Sequence, residues 1–431
     1  MPWSFEDALA YLEGHVNFEQ QSPTKEGAPS LDRVRALAAA MGDPQDVAPS
    51  IHITGTNGKG STARMVVALL RAHGLRVGLH TSPDLERINE RLSIDGEPIS
   101  DEAFAEQLEA LAELEVLTGV RPTRFDLLTL SAFRWFADEA VDVAVNEVGL
   151  GGRWDSTNIA NGSVAIVTNI GLDHVDIIGP TRADIATEKS GIVKTGATLV
   201  LGETDPALLP IFETTPASRI WLRERDFDVQ ENRVAVGGRA LDLRTPTTRY
   251  EDVFLSLHGA HQGDNAVLAV TAVEAFFDRP TPDELVREAL GSMSVVARFE
   301  VIGRAPLVIL DGAHNVDGAR AAADTLDDFA VAGQTILVFG TNRGHEPVEM
   351  LEALRADKVA LVVATAADFP RAVPPASIVA AAESMGVPAV GVEGVAAAVR
   401  YAREHADKDD LVLVTGSLYV VGEARRASAP S

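Results

Sequence analysis

The sequence predicts an α/β fold in two parts: a larger domain with a parallel sheet plus a small antiparallel sheet, and a smaller Rossmann-like C-terminal domain. The chain has 431 residues, which at roughly 150 residues per domain suggests two or three domains. From about Ile51 onward, short apolar runs alternate with helical patterns, as expected of parallel strands joined by crossover helices. A second alternation begins near Leu307, beyond a stretch at 291–297 that we interpret as a hinge.

The N-terminal part contains four candidate buried strands, each rich in β-branched residues or Leu and short enough to be covered on both faces. They lie at 51–54, 141–145, 164–169 and 198–201, with helical stretches such as 61–73 and 101–117 between them. Polar residues then separate shorter runs, which predicts small antiparallel strands. These are 220–222, 228–230, 233–236 and 240–243, and helices at 261–277 and 282–290 follow.

The C-terminal part repeats the alternation of strands and helices, which predicts a doubly wound domain. The strands are expected at 307–310, 335–339, 359–364 and 411–415, and the helices at 316–329, 348–355, 376–385 and 396–405. Residues 427–431 are small and polar and are expected to fray.

The charge balance is strongly acidic. The chain has 63 acidic and 37 basic side chains, a formal net charge of −26, so binding to nucleic acid or to an anionic membrane is not expected. An anionic small substrate remains compatible, because its site needs only a few local donors. Apolar residues make up 46% and charged residues 23%, which excludes collagen-like, disulfide-scaffold and wholly disordered chains.

The chain contains no cysteine, so disulfides, thiolate zinc sites and cysteine nucleophiles are excluded. The N-terminal segment carries Glu6 and Asp7 and no basic cluster, unlike a secretory signal. No run approaches the roughly 20 apolar residues that a membrane-spanning helix needs. We therefore expect a cytoplasmic protein without a membrane partner.

The first motif that carries chemistry is Gly-Thr-Asn-Gly-Lys-Gly-Ser at 55–61, between a predicted strand and a predicted helix. Its glycines allow a sharp turn that points backbone N–H groups at a phosphate, and the helix N-terminus adds positive potential. Lys59 supplies a mobile cation and Ser61 can reach Mg²⁺. Only two residues separate the first two glycines, so the spacing differs from the common Walker form. A plain glycine-rich turn is the alternative.

The second motif, at 146–158, follows the predicted strand 141–145 and contains a glycine-rich stretch. Ligands of open parallel sheets collect at the carboxyl ends of strands, so Glu147 is placed to hold Mg²⁺ directly or through water. A flexible connection with a solvated Glu147 would give the same pattern. The third motif, at 168–174, contains Asp173 and His174; a lone histidine of this kind is more often structural than a metal ligand. Lys189, in Glu-Lys-Ser-Gly-Ile at 188–192, would ordinarily be a surface lysine.

A fourth group of polar clusters follows in the sequence. It comprises His-Gln-Gly-Asp-Asn at 261–265, Arg-Phe-Glu at 298–300 and Asp-Gly-Ala-His-Asn at 311–315. Helix capping alone could explain Asn265 or Asn315. Together with a phosphate loop, the clusters suggest a nucleotide held between two domains.

These motifs carry a specific resemblance. Their order is similar to that of the bifunctional dihydrofolate synthase/folylpolyglutamate synthase family, within the Mur ligase superfamily, over roughly residues 5–423. The nine segments that match are 55–61, 81–85, 147–158, 168–174, 188–192, 261–265, 298–300, 311–315 and 416–419. The resemblance implies a Mur-ligase-like P-loop ATPase domain over 1–296 and a Rossmann-like glutamate ligase domain over 297–431.

The activity that the resemblance implies is ATP-dependent amide ligation with Mg²⁺. ATP phosphorylates a carboxylate of dihydropteroate or a reduced folate, and the amine of L-glutamate attacks the acyl phosphate. By the same resemblance, Lys59, His174 and a carbamylated Lys189 serve catalysis, and Ser82, Glu147 and His174 bind the metal. The ATP-binding positions are Asn57, Gly58, Lys59, Gly60, Ser61, Asn265, Arg298 and Asp311, and the substrate-binding positions are Leu31, Asp32, Arg33, Thr81, Phe125, Trp154, Asp155 and Ser156. We expect a monomer with small-molecule partners.

Three residues depart from the family pattern. Asp84 stands where the family usually has His, Val316 replaces Pro, and Ala297 replaces Gly. We expect the charge of Asp84 to disfavour an anionic substrate by Coulomb repulsion. Two other hypotheses are a Mur-type ligase for a different acid, which the segments 31–33 and 154–156 argue against, and a catalytically silent nucleotide-binding protein. The retention of Lys59, Glu147 and His174 argues against the second.

Overall fold

The computed structural model describes residues 2–20, 30–329 and 332–428. The chain divides into two compact units. Unit 1 comprises Met1–Asn232, Ala240–Leu255 and Gly263–Met293, and unit 2 comprises Arg233–Arg239, Ser256–Gln262 and Ser294–Ser431. Within the described residues, none of the helices combines the length and the hydropathy that crossing a bilayer requires.

Unit 1 is built on an eight-stranded sheet, so the predicted α/β class is confirmed. The order of its strands is β4-β3-β2-β5-β1-β6-β7-β8. Strands β2, β5, β1, β6, β7 and β8 run parallel, whereas β3 and β4 pair antiparallel at one edge. The strands are β1 (Ser50–Thr54), β2 (Val77–His80), β3 (Leu92–Ile94), β4 (Glu97–Pro98), β5 (Val143–Glu147), β6 (Gly162–Val167), β7 (Thr198–Leu201) and β8 (Arg219–Leu222).

Helices cover this sheet. They are α1 (Phe5–Glu13), α2 (Asp32–Ala40), α3 (Lys59–Ala72), α4 (Asp101–Thr118), α5 (Arg124–Asp138), α6 (Val175–Ile178), α7 (Arg182–Ser190) and α8 (Leu209–Glu213), followed later in the chain by α9 (His261–Phe277) and α10 (Asp283–Gly291). One apolar cluster joins α1, α2, α4 and α5, and another joins α7 and α8 to β6 and β7. Burial of these apolar faces is the main force that holds the helices on the sheet.

The strand predictions in unit 1 are confirmed for β1 and β7 and need correction elsewhere. Strand β5 reaches Glu147 and is buried along its whole length, so it ends two residues later than predicted, whereas β6 ends two residues earlier. The run 220–222 was expected in the small antiparallel sheet, but it forms β8, the parallel neighbour of β7. An edge strand has polar positions like those of a small antiparallel strand, so sequence alone does not separate the two.

A separate sheet has three strands in the order β11-β10-β9, which confirms the small second sheet. They are β9 (Asp228–Ala235), β10 (Gly238–Arg244) and β11 (Arg249–Leu255). Two of the short strands predicted from the sequence are one continuous strand, β9. Strand β11 was not predicted, because charged residues interrupt its apolar positions.

Unit 2 contains a six-stranded sheet in the order β12-β13-β17-β14-β15-β16, parallel except for β12. Its strands are β12 (Glu300–Arg304), β13 (Leu307–Leu310), β14 (Thr335–Phe339), β15 (Leu361–Ala364), β16 (Ala389–Gly391) and β17 (Leu411–Thr415). Its helices are α11 (Val316–Leu326), α12 (Pro347–Ala353), α13 (Pro375–Ser384), α14 (Val395–His405) and α15 (Leu418–Ser428). The predicted doubly wound pattern is confirmed.

The elements of unit 2 that the sequence did not predict lie at its margins. Strands β12 and β16 lie at the two edges of the sheet and have no fully buried residues, so neither forms an apolar run. Helix α15 includes residues 427 and 428 of the segment expected to fray. Residues 429–431 of that segment lie outside the described residues.

The acidic charge of the chain is concentrated locally on helix surfaces, and α4 is the clearest case. Its 18 residues include six acidic and no basic side chains. Glu102 and Glu106, and also Glu109 and Glu113, are pairs spaced four residues apart, a spacing at which like charges destabilise a helix by about 0.2–0.5 kcal/mol. Repulsion at the surface therefore opposes folding in this chain.

We predict that salt stabilises the folded protein. Raising KCl from about 0.05 to about 0.5 M shortens the Debye length from more than about 10 Å to less than about 8 Å, which screens the repulsion that a net charge of −26 creates. The melting temperature should rise by about 2–4 °C for each kcal/mol of repulsion removed, and the rise should level off at high salt. Differential scanning calorimetry across a KCl series measures it. A melting temperature that is constant or falls would contradict the prediction.

Candidate functional site

The turn at 55–58 connects β1 to α3, and two of its glycines have no room for a side chain. Gly55 has φ +152° and Gly58 has φ +84°, conformations that other residues rarely adopt. A Cβ on Gly55 would lie 1.8 Å from Thr168 Oγ1, and one on Gly58 would lie 2.4 Å from Asn265 Oδ1. The turn is thus pressed against the end of β6 on one side and against α9 on the other.

Hydrogen bonds join this phosphate loop, residues 55–61, to the segment that follows β6. Thr56 N–H donates to Asn169 O (3.0 Å), and Asn57 N–H donates to Asn169 Oδ1 (2.9 Å). Gly171 N–H donates to Thr56 Oγ1 (2.9 Å), and Thr168 Oγ1 donates to Asn57 O (2.6 Å). The two segments that the sequence singled out separately are therefore one hydrogen-bonded unit.

Lys59 and Ser61 lie at the start of α3, where the helix N-terminus concentrates positive potential. Lys59 Nζ donates to Gly55 O (3.0 Å) and Thr56 O (3.2 Å), so its ammonium lies over the turn. Ser61 is buried. A Cβ on Gly60 would lie 3.4 Å from Glu147 Oε2, which places that carboxylate beside the first turn of α3.

Glu147 is the last residue of β5 and is buried, and it accepts a hydrogen bond from the hydroxyl of Thr81. Ser82 follows Thr81 directly. The structure thus brings the carboxylate of Glu147 together with the Thr81–Ser82 segment at the end of β2. Mg²⁺ prefers oxygen ligands and usually takes one or two carboxylates plus phosphate oxygens and water. The oxygen donors of Ser82 and Glu147 fit such an ion.

His174 lies beside the phosphate loop. A cavity beside the phosphate loop is lined by Lys59, His174 and Lys189 and, among the described residues, not by Glu147 or Ser82. His174 has φ +53° and an exposed ring, and its Nε2 lies 3.8 Å from Asp173 Oδ1. Within the described residues no three His, Asp or Glu side chains are grouped as a metal site.

Lys189, in the last turn of α7, is not the surface lysine that its sequence context alone suggests. It is buried, and its Nζ donates to Gly55 O at 2.8 Å. Burial, followed by the nearby charge of Lys59, lowers the pKa of Lys189 to about 7. A substantial share of this amine is therefore uncharged at neutral pH, unlike an ordinary lysine.

Asp155 organises the glycine-rich loop that follows β5. Its carboxylate accepts hydrogen bonds from the N–H groups of Gly149, Leu150 and Thr157, each at 3.0 Å. Burial raises its pKa to about 6. Trp154, in contrast, has a half-exposed side chain, and its N–H donates to Glu188 Oε1 (3.2 Å). Asp155 thus holds the backbone of the loop in place through hydrogen bonds, whereas the exposed side of Trp154 can face a ligand.

The other expected substrate residues form a second cluster around Asp126. Ser156 Oγ donates to Asp126 Oδ1 (2.6 Å), and Arg33 Nε approaches Asp126 Oδ2 at 3.4 Å. Phe125 packs against Gly149, where a Cβ would lie 2.7 Å from its ring. The structure thus joins Arg33 and Ser156 through Asp126, with Phe125 next to it in the chain. Leu31 and Asp32 are the other two residues of the predicted substrate segment 31–33. Leu31 is buried in the core, and Asp32 is exposed and accepts a hydrogen bond from Ser30 (2.8 Å).

Arg298 and Asp311 belong to unit 2. Asp311 is buried, accepts N–H donors from Ala313 (3.0 Å) and Phe299 (3.3 Å), and has a pKa raised by burial. Arg298 Nη1 donates to Ala297 O at 3.3 Å. Ala297 has φ +58°, which explains why the family usually has Gly at this position. The ATP-binding roles of Arg298 and Asp311 stay predictions.

The expectation for Asp84 needs correction. Asp84 Oδ1 lies 2.5 Å from Nε of Arg91, a buried guanidinium that also binds both carboxylate oxygens of Glu19 at 2.8 and 2.9 Å. The negative charge of Asp84 is therefore paired with Arg91, which it shares with Glu19, and is not an isolated source of repulsion. Sequence reasoning missed Arg91 and Glu19, since Glu19 is 72 residues away from its partner. The available signal was an arginine directly before the short run Leu-Ser-Ile at 92–94.

Comparison with known proteins matches both parts of the chain. The Mur ligase middle domain family matches residues 53–273, and the Mur ligase glutamate ligase domain family matches residues 297–418. The dihydrofolate synthase/folylpolyglutamate synthase of Mycobacterium tuberculosis is 42% identical over 332 residues, 72% of this chain and 68% of the relative. The enzyme of that name from Bacillus subtilis is 32% identical over 98% of this chain and 99% of its own length.

The solved structures agree with the sequence comparison. The crystal structure of Mycobacterium tuberculosis folylpolyglutamate synthase complexed with ADP and AMPPCP superimposes with a TM-score of 0.90 at 35% identity, covering 99% of this chain and 98% of that one. The likeness therefore extends over nearly the whole of both chains. From these matches we conclude that the chain belongs to the Mur ligase family, in the group of the dihydrofolate synthase/folylpolyglutamate synthases.

Proposed function

We propose that this protein is an ATP-dependent ligase that joins L-glutamate to dihydropteroate and to reduced folates through an acyl phosphate. The observation that carries the proposal is the cavity beside the phosphate loop, which Lys59, His174 and Lys189 line together, in a chain that belongs to this family. The Lys59 ammonium and the N–H groups of the glycine-rich turn suit the polyanionic tail of a nucleotide. The names of the relatives give the products, dihydrofolate and folylpolyglutamate, and a related structure holds L-glutamate.

The reaction that we propose has two steps. A carboxylate oxygen of the folate substrate attacks the γ-phosphorus of ATP, ADP leaves, and an acyl phosphate forms. The amine nitrogen of glutamate then attacks the acyl carbon, loses a proton, and inorganic phosphate leaves as the amide bond forms. Phosphorylation supplies the leaving group that a carboxylate lacks, so the protein has to neutralise phosphoryl charge and exclude water.

The phosphate loop is the proposed binding site for the nucleotide phosphates. Gly58, Lys59, Gly60 and Ser61 offer N–H groups at the start of α3, and Lys59 offers a cation. Asn57, whose N–H is bonded to Asn169, belongs to the same proposed site. Asn265, packed on Gly58, would position the turn. We propose that residues 1–296 form this ATP-binding domain and that Arg298 and Asp311, from the C-terminal domain 297–431, contribute to the same nucleotide.

Ser82, Glu147 and His174 are the proposed protein contacts of Mg²⁺. When bound, the ion neutralises charge on the phosphoryl group that is transferred. Glu147 is held for this role by its hydrogen bond from Thr81 and by its place at the end of a buried strand. Ser82 follows Thr81 at the adjacent strand end, and the exposed ring of His174 contributes from the cavity.

We propose that Lys189 is carbamylated. Its uncharged amine attacks the carbon of CO₂, a proton leaves the nitrogen, and a carbamate anion forms. Burial and the lowered pKa make the amine available for this reaction, and the nearby cation of Lys59 favours the anionic product. The modified side chain would offer oxygen ligands in place of a second buried ammonium.

The proposed folate site includes Thr81, Phe125, Trp154 and Ser156, with the segment Leu31, Asp32 and Arg33 beside it. Trp154 is the residue best placed for direct contact, because half of its side chain is exposed. Asp155 takes part indirectly through the loop backbone. We further propose that the protein is a cytoplasmic monomer. We also propose that it has no nucleic-acid or membrane partner, because a net charge of −26 disfavours binding to these anionic partners.

Phosphate release measured with and without L-glutamate tests the function. The wild-type enzyme with MgATP should release phosphate in a glutamate-dependent manner with dihydropteroate and with tetrahydrofolate, each tested separately. Product analysis by mass spectrometry should show one added glutamyl residue. Release that is independent of glutamate, or absent with both acids, would refute the proposal.

We predict that Lys59→Ala reduces kcat by about 10²–10³-fold, the usual cost of removing one group that stabilises transition-state charge. The folded structure should persist, because within the described part of the chain the ammonium donates hydrogen bonds to two carbonyl oxygens of the turn. Lys358→Ala, at an exposed lysine, is the control and should keep full activity. Wild-type turnover by Lys59→Ala at saturating MgATP would remove Lys59 from the mechanism.

We predict that carbamylation of Lys189 increases as pH rises through neutrality. Its folded-state pKa of about 7 lies well below the ordinary value, so protonation blocks the reaction below that pH and the free amine dominates above it. Carbon-13 NMR with labelled bicarbonate should show a carbamate signal that disappears in Lys189→Ala. The signal should persist in Lys194→Ala, which removes another lysine with a lowered pKa, of about 8. A signal that survives in Lys189→Ala would contradict the assignment.

We predict that the enzyme accepts both dihydropteroate and tetrahydrofolate. Arg91 compensates the charge of Asp84, so Asp84 should not discriminate against either anionic substrate. The ratio of kcat/KM for the two acids should change by less than about tenfold, or about 1.4 kcal/mol, in Asp84→Asn. A wild-type enzyme that uses only tetrahydrofolate, and regains dihydropteroate activity in Asp84→His, would show that Asp84 restricts the substrate.

A further inference from the structure

The peptide groups on the two sides of Ile170 are held by two charged side chains that are not among the predicted site residues. The Ile170 N–H donates to Glu203 Oε2 at 2.9 Å, and the Ile170 C=O accepts from Arg182 Nε at 2.9 Å. Glu203 follows β7 and is buried. Ile170 lies between Asn169, which bonds to the phosphate loop, and the segment that leads to Asp173 and His174.

Arg182 binds two carboxylates in addition to Ile170. Its Nη2 donates to Glu203 Oε2 at 3.0 Å, and its Nη1 donates to Asp205 Oδ2 at 2.6 Å. It is the first residue of α7, where a cation is electrostatically unfavourable because the helix N-terminus is itself positive. The two carboxylates offset that cost, and they direct the guanidinium at Ile170. Arg182 therefore connects α7, the end of β7 and the 169–174 segment.

Both ends of α7 contact the phosphate loop or the 169–174 segment that is hydrogen-bonded to it. Arg182 at the start binds Ile170, while Lys189 in the last turn donates to Gly55 O. On the other side, Asn169 and Gly171 are hydrogen-bonded to Thr56 of the phosphate loop. A displacement of Arg182 would consequently move the backbone next to the phosphate loop and the helix that carries Lys189.

We propose that Arg182 and Glu203 are positioning residues for the ligase reaction, which set the 169–174 segment against the phosphate loop. The proposal rests on the proposed function. Neither side chain is among the groups that would contact the reacting atoms. Their effect is exerted through the backbone of Ile170, which fixes the neighbours of Thr56 and the entry to His174. Loss of either charge should disturb the catalytic step and the use of Mg²⁺ more than the binding of glutamate.

The test compares Arg182→Met with Arg287→Met. Arg287 is a matched control, since the exposed fractions of the two side chains are 40% and 43%, and Arg287 also binds a carboxylate and backbone carbonyls. Arg182→Met should lower kcat by about 10–100-fold, as outer residues of metal sites do, and should raise the Mg²⁺ concentration needed for half-maximal activity. The KM for glutamate should stay nearly that of the wild type, and Arg182→Lys should recover part of kcat.

A double-mutant cycle with Glu203→Gln tests whether the two residues act through the same segment of backbone. The amide oxygen of glutamine can still accept from the Ile170 N–H, but an NH₂ group then replaces Oε1, which accepts from the N–H groups of Thr204 and Asp205. The substitution therefore removes the charge and the acceptor for these two N–H groups. The combined variant should lose much less activity than the sum of the two single losses predicts. Additive losses, or equal kcat and Mg²⁺ dependence in Arg182→Met and Arg287→Met, would overturn the proposal.

Calorimetric titration of each variant with ADP and Mg²⁺ separates this proposal from the function. We expect Arg182→Met to bind MgADP more weakly than Arg287→Met by about tenfold, which corresponds to about 1.4 kcal/mol. If the wild type ligates no glutamate, the proposed function fails, and unchanged MgADP affinity would in addition overturn the positioning role. If Arg182→Met does not fold, Arg182→Lys and Glu203→Gln decide the matter, and wild-type kcat and affinity in both would overturn the proposal.

Discussion

The close approach of Gly55 to Thr168 is the constraint on which the rest of the site depends. Only a residue without Cβ permits the end of β1 to touch the end of β6 at that distance. Once the two strand ends meet, Thr56 and Asn57 exchange hydrogen bonds with 168–171, and the carbonyl of Gly55 becomes the acceptor for both Lys59 and Lys189. One steric condition therefore brings two lysines to one oxygen.

Two ammonium groups that share an acceptor repel each other, and this repulsion gives the site its chemical character. It contributes, after burial, to the lowered pKa of Lys189. The cavity that Lys59 and Lys189 line is suited to phosphate oxygens. Converting the Lys189 amine to a carbamate anion would remove the repulsion between the two ammonium groups. The glycine-rich loop beside the cavity is held by Asp155 from within. The polar groups at the site thus fall into those that can meet a ligand and those that support the backbone.

Sequence patterns predicted most of the strands whose burial is two-sided, although β2, an interior strand that is buried throughout, was not among them. Strands β1, β7, β13, β14 and β17 are short apolar runs, and their limits agree closely with the predicted ones. Most of the other failures are edge elements, where one side of a strand is exposed and the apolar run is broken. Strand β8 shows the reason most clearly, because its partner is determined by packing on β7 and not by its own residues. Pairing is a long-range property that local hydrophobicity does not encode.

For the site, the sequence by itself determined which residue types are available and, through the order of motifs, the family. It placed Glu147, His174 and the 55–61 loop at strand ends, because parallel strands collect such residues at one edge. Only the tertiary structure decided their electrostatics and contacts. In the folded structure Asp84 pairs with Arg91, Lys189 is buried, and Arg182 donates a hydrogen bond to the backbone of Ile170. Charge compensation and desolvation depend on neighbours that are distant in the chain, so they arise only when the chain is folded.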